Sequence, residues 1–64
     1  MYLLQRQRTA GAYITISHED THEEAVKALS DIAAKTPSMP YNGEDHWQDS
    51  NNLHCVNRYR IIPF

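Results

Sequence analysis

Ala25, Val26, Ala28, Leu29, Ile32 and Ala33 recur at helical spacing, in a chain with room for one such stripe. A helix that is apolar along one side must bury that side against a second layer. Its start is well marked. Thr21 and Glu24 fit a capping box, and Asp20, Glu23 and Glu24 place negative charge where the helix dipole favours it. Lys35 sits near the end and Pro37 stops the helix. The pattern predicts a helix over residues 21–35, with its Val26–Leu29–Ile32 face turned inward.

The flanking segments carry the period of a strand. Tyr2 to Arg8 reads as one strand, followed by a turn at Thr9, Ala10 and Gly11, where glycine is free to take a positive φ. Ala12 to His18 alternates, with Ile14 and Ile16 expected inward and Tyr13, Thr15 and Ser17 outward. A turn this short makes the two an antiparallel hairpin. Residues 36–52 read as an irregular loop with turn signals at Pro37, Pro40 and Asn42-Gly43, and with a single helical turn around Trp47 as one option. Such length without regular structure is unusual in a compact domain. Leu53 to Phe64 reads as the last strand, with Cys55, Asn57, Tyr59 and Ile61 on one face and Val56, Arg58, Arg60 and Ile62 on the other. The expected fold is α+β, a single domain over residues 1–64. A three-stranded antiparallel sheet carries one helix on one face, in the order β-β-α-β. The opposite face is left bare.

A domain of 64 residues buries only about 60% of the surface its unfolded chain exposes, so its stability margin is thin. One cysteine, Cys55, rules out an internal disulfide and fits a reducing compartment. Neither a leader-like apolar start nor a stretch approaching about 18 apolar residues is seen. The expectation is a soluble, cytoplasmic protein without a membrane partner.

The formal net charge of −2 conceals a segregated chain. All four arginines lie near the ends, in two pairs of equal spacing, Arg6 with Arg8 and Arg58 with Arg60. All eight acids, Glu19, Asp20, Glu23, Glu24, Asp31, Glu44, Asp45 and Asp49, lie between positions 19 and 49. Two-residue spacing keeps each arginine pair on one side of a strand. If the terminal strands pair, four guanidinium groups are expected on one surface, beside Tyr13, Tyr59 or Tyr2. Such a surface suits an acidic protein or nucleic acid; the plainer reading is a solvated face neutralised by the chain's own acids. Tyr41 and Trp47 flank an acidic turn, either as exposed interface anchors or, for Trp47, as a plug for the core.

Other chemistry is thinly represented. His18, His22, His46, His54 and Cys55 could supply tetrahedral zinc ligands, but no paired motif is present and scattered histidines are the simpler reading. His54 and Cys55 are neighbours, which strand geometry sends to opposite faces, so a Cys–His nucleophile would need its base from elsewhere. Two distant glycines make no phosphate loop. No enzyme activity and no cofactor are expected.

The hairpin Y-L-L-Q-R-Q-R…A-Y-I-T-I, the capped helix T-H-E-E-A-V-K-A-L-S-D-I-A and the late strand H-C-V-N-R-Y-R-I-I together resemble, in size and element order, small phage-encoded proteins that disable host machinery, including anti-CRISPR proteins and inhibitors of host polymerase. The resemblance carries over no functional residue. It implies stoichiometric occlusion of a larger host protein or nucleoprotein complex, without catalysis. Candidate contacts are Arg6, Arg8, Arg58, Arg60, Tyr59, Tyr41 and Trp47. The acids Glu19, Asp20, Glu23, Glu24, Glu44, Asp45 and Asp49 would compete for basic sites if the target binds nucleic acid. Alternatives are a small nucleic-acid-binding module using the arginine face and a zinc-binding domain. Open sheet edges leave a homodimer as a further option.

Overall fold

The computed structural model describes residues 1–36, 39–50 and 56–64. Five elements follow in order: β1 (Tyr2–Arg8), β2 (Tyr13–Glu19), α1 (His22–Ala33), β3 (His46–Asp49) and β4 (Asn57–Pro63). The fold is α+β, and the strands form one antiparallel sheet in the order β2-β1-β4-β3. The expected three-stranded sheet is therefore corrected to four. The additional strand is the His46–Asp49 segment, expected as loop or helical turn. It is short and lacks β-branched residues, and it forms because β4 offers it a ladder and Trp47 a place in the core. Among the described residues no helix is long and apolar enough to cross a membrane.

The first turn departs from expectation in one detail. Thr9, not Gly11, takes the left-handed conformation, at φ 54°. Its N–H donates to Val56 O at 2.7 Å, which holds the turn against the approach to β4. Gly11 N–H closes the turn onto Arg8 O at 3.0 Å. A Cβ on Gly11 would lie 3.2 Å from that same oxygen, so the position favours glycine by space.

Thr21 is the N-cap of α1, and its hydroxyl oxygen accepts from Glu24 N–H at 3.2 Å. At the other end the backbone tightens into shorter turns, with Lys35 N–H donating to Ile32 O and Thr36 N–H to Ala33 O. The buried line of the helix is Ala25, Leu29 and Ala33, four apart at each step. Val26 and Ile32, expected at the centre, flank it half-buried. The centre is occupied by small residues because the sheet supplies the bulk: Leu4 from β1, Trp47 from β3, and Tyr59 and Ile61 from β4. Trp47 and Tyr59 pair across their strands, rings 5.5 Å apart. The Trp47 indole N–H donates to Met39 O at 3.1 Å, so its polar atom is satisfied inside the core.

β2 holds the second correction. The register against β1 slips between Leu4, opposite Ser17, and Gln5, opposite Thr15, so Ile16 is the extra residue of a β-bulge. The bulge reverses the alternation midway along the strand. Ser17 falls on the helix side across from Leu4, and its hydroxyl donates to Glu19 Oε1 at 2.5 Å. Ile14 and Ile16, expected inward, are 52% and 38% exposed.

Candidate binding face

Register decides which strand residues share a surface. In β1 and β4 every even position lies opposite an odd one, with Leu4 opposite Ile61, Gln5 opposite Arg60 and Arg6 opposite Tyr59. Directly opposed residues of an antiparallel pair lie on the same side of the sheet. Arg6 and Arg8 therefore share the helix side with Leu4, Tyr59 and Ile61, whereas Arg58 and Arg60 lie on the bare side with Gln5 and Gln7. The expected cluster of four guanidinium groups does not form, although the two terminal strands do pair. Each pair stays together, and the two pairs are separated by the thickness of the sheet.

On the bare side, Arg60 is held in place. Its Nε–H donates to Gln5 Oε1 at 2.8 Å, and Gln5 Nε2–H donates to Thr15 Oγ1 at 3.1 Å, a chain running from β4 across β1 to β2. The guanidinium carbon lies 3.8 Å from the centre of the Tyr13 ring. Of the tyrosines expected beside an arginine, Tyr13 is the one on this face. Arg58 donates from Nη1 to Thr9 O at 3.2 Å. Among the described residues neither Arg58 nor Arg60 has a carboxylate in ion-pair range. His18 meets Phe64 edge to face at 5.6 Å at one corner. His46 lies opposite Arg60 at another, with Glu44 Oε2 at 3.3 Å. No strand position on this side carries an acid. The charge at its strand positions is cationic, and Leu3 and Ile62 are aliphatic positions among the polar ones.

The helix side is different. Arg6 is half-buried, and its Nε has no hydrogen-bond partner among the described residues. Arg8 is exposed opposite Asn57, which lies between Arg8 and Asp49 in the sheet. Asp20, Glu23, Glu24 and Asp31 are exposed around α1, and Glu19 ends β2 on the same side. These five acids and the open-face arginines thus lie on opposite sides of the sheet.

Tyr59 is corrected as a contact, and of the two readings of Trp47 the structure has the core plug. Trp47 and Tyr59, each 7% exposed, belong to the core and offer nothing to a partner. Tyr41 is half-buried, and its hydroxyl donates to Glu44 O at 2.6 Å, closing the loop that leads into β3. Burial, reinforced by Asp45 and Glu44 nearby, pushes the Tyr41 phenol above its usual value. Asp45 is also occupied, its Oδ1 meeting His22 Nε2, while the His22 ring meets Tyr2 edge to face at 5.3 Å. His18 and His22 thus serve different ends of the structure. Among the described residues no three His, Cys, Asp or Glu side chains form a metal-ligand group. His54 and Cys55, needed for the zinc and nucleophile readings, lie outside the described residues.

The signal that would have separated the arginine pairs is the strand register, which rests on how Leu4 and Ile61 must both reach Leu29. Gln5 was missed as the residue that fixes Arg60, since a glutamine in a strand carries no signature of its own. No family model matches this chain, and comparison with curated proteins and with solved structures gives no match.

Proposed function

We propose that this chain is a non-enzymatic binding protein that docks its open sheet face on an acidic surface of a larger host protein complex and occludes it, the mode of action of anti-host inhibitors. The observation that carries this reading is Arg60, braced by Gln5 and Tyr13 on a face with no carboxylate at any strand position. A guanidinium fixed before contact loses little freedom on binding a carboxylate, and its fork geometry matches that partner.

Single-stranded nucleic acid is the poorer fit. Sheet platforms for it present stacking aromatics at their centre. Here the central strands offer Leu3, Gln5, Gln7, Arg58, Arg60 and Ile62, and the Tyr13 ring already faces Arg60. The net charge of −2 points the same way.

The test is affinity capture from bacterial lysate with wild type and with the Arg58→Glu/Arg60→Glu double variant, before and after nuclease treatment. The reading expects one recurrent large complex, resistant to nuclease and lost in the double variant. Capture that survives the charge reversal overturns it, and capture abolished by nuclease assigns the face to nucleic acid.

A further inference from the structure

β2 is an outer strand of the sheet, and among the described residues nothing hydrogen-bonds to its outward backbone. An unpaired edge is a template for another strand, and proteins usually blunt it with lysine, proline or a covering segment. Tyr13–Glu19 contains neither lysine nor proline. The bulge at Ile16 is its one protective device, and regular runs remain on both sides of it, Tyr13–Thr15 and Ser17–Glu19. The edge also shows aliphatic surface, with Ile14 more than half exposed.

Beside this edge a cleft of about 290 Å³ opens between β2 and α1. It is lined by Glu19, Glu24 and Asp31, against Lys27 and Ala28. Three carboxylates to one ammonium make its field negative. On the helix side, β2 therefore offers an aliphatic position at Ile14 and an acidic one at Glu19. The β1 residues opposite these are Arg6 and Tyr2, four positions apart, which sets the spacing a strand must match.

We infer that the β2 edge accepts an extended, basic segment of a partner protein as a fifth strand. The backbone ladder supplies the attachment. An aliphatic side chain lies beside Ile14, and a lysine or arginine four residues away reaches the cleft. A second copy of this chain is the less suitable occupant: antiparallel pairing of β2 with itself sets the Glu19 end of one strand against the Tyr13 end of the other, and Tyr13–Glu19 contains no lysine or arginine to meet the acidic cleft. This site is separate from the open face, which repels a cationic strand.

The experiment uses the labelled peptide Val-Thr-Val-Thr-Lys-Thr-Lys-Thr, capped at both ends, and reads fluorescence anisotropy against the intact chain. Saturable binding is expected, weakened about tenfold or more by Asp31→Lys and by Ile14→Lys. Ile14→Thr, a good strand former, provides a second variant that keeps the fold, checked by circular dichroism, and weakens binding several-fold. Two further peptides, N-methylated at odd or at even amides, separate a ladder from simple charge attraction: one loses binding and the other keeps it. Equal binding by both methylated peptides, equal binding of a peptide with glutamate for lysine, or no binding at all overturns the inference. So does a concentration-dependent dimer in sedimentation that Ile14→Lys abolishes, which would give the edge to a second copy.

Discussion

The guanidinium of Arg60 lies over the ring of Tyr13, two strands away, with Gln5 on the intervening strand holding its Nε. One side chain thus spans the centre of the open face and ties β4 to the edge strand β2. A cation over an aromatic ring at a partly exposed site contributes about 0.5–1 kcal/mol. A double-mutant cycle of Arg60→Ala and Tyr13→Leu, followed by urea unfolding, should return a coupling of about that size. Additive effects would show that the ring and the guanidinium are neighbours without being partners.

Thr9 is a β-branched residue at φ 54°, a conformation that costs most L-residues about 1 kcal/mol or more. Its structural duties fall on the backbone, since its N–H bonds Val56 O and its carbonyl accepts from Arg58. Any residue can perform those, and asparagine tolerates this region best after glycine. Thr9→Asn should therefore stabilise the protein by about 0.5–1 kcal/mol, read as a higher urea midpoint with an unchanged slope. A lower midpoint would mean that the threonine side chain contributes more than its backbone strain costs.

How far the sequence reaches can be judged element by element. β1 and the helix were legible to within a residue or two because each has a local cause, a period of two in one and a capped stripe with a proline stop in the other. β3 was not, since in His-Trp-Gln-Asp only Trp47 favours a strand and the segment exists through its neighbour; the suspicious length of the loop was the other hint. The sides of the arginine pairs were half legible. Spacing fixed each pair to one face, but whether both pairs share it depends on the parity of the β1–β4 register, which is set by long-range packing of Leu4 and Ile61. The bulge at Ile16 left no trace in the sequence, and it removes Ile16 from the expected alternation; Ile14 keeps the helix side, opposite Arg6, yet stays more than half exposed at the sheet edge.

Leu29 is fully buried, at the centre of the helix-to-sheet contact. Removing its side chain leaves a cavity and costs about 2–5 kcal/mol. A 64-residue domain has about 3–10 kcal/mol in total, so Leu29→Ala should unfold much of the population at room temperature. Glu23→Ala, on the exposed side of the same helix, should change stability by about 0.5 kcal/mol or less. Retained cooperative unfolding in Leu29→Ala near the wild-type midpoint would place the core elsewhere.

The Tyr41 phenol is raised by burial first, then by Asp45 and Glu44. A group that holds its proton more tightly when folded adds stability that is complete below its unfolded value, here 10.0, and is lost as pH rises from there through the folded value. Phenolate absorbance of the native protein should show a step above the ordinary phenol value of 10.0, and Tyr41→Phe should delete that step. The same variant should cost about 1 kcal/mol at neutral pH, because the hydroxyl no longer donates to Glu44 O, while flattening the alkaline decline. An unchanged titration curve would assign the late phenol to another tyrosine.

The opposite placement of the two arginine pairs makes the last prediction asymmetric. Charge reversal at Arg58 acts on the open face, where no strand position carries an acid and Glu44 is engaged with His46. Charge reversal at Arg8 acts on the side that already carries Glu19, Glu24 and Asp31. A partner held by the open face should therefore bind Arg58→Glu about tenfold more weakly, with a shallower salt dependence, and should bind Arg8→Glu within about twofold of wild type. A partner that senses all four arginines alike would lose affinity equally in both. Calorimetric titration at two salt concentrations distinguishes these outcomes, since the field of a charge on the far side of the sheet is screened with a Debye length of about 8 Å at physiological salt.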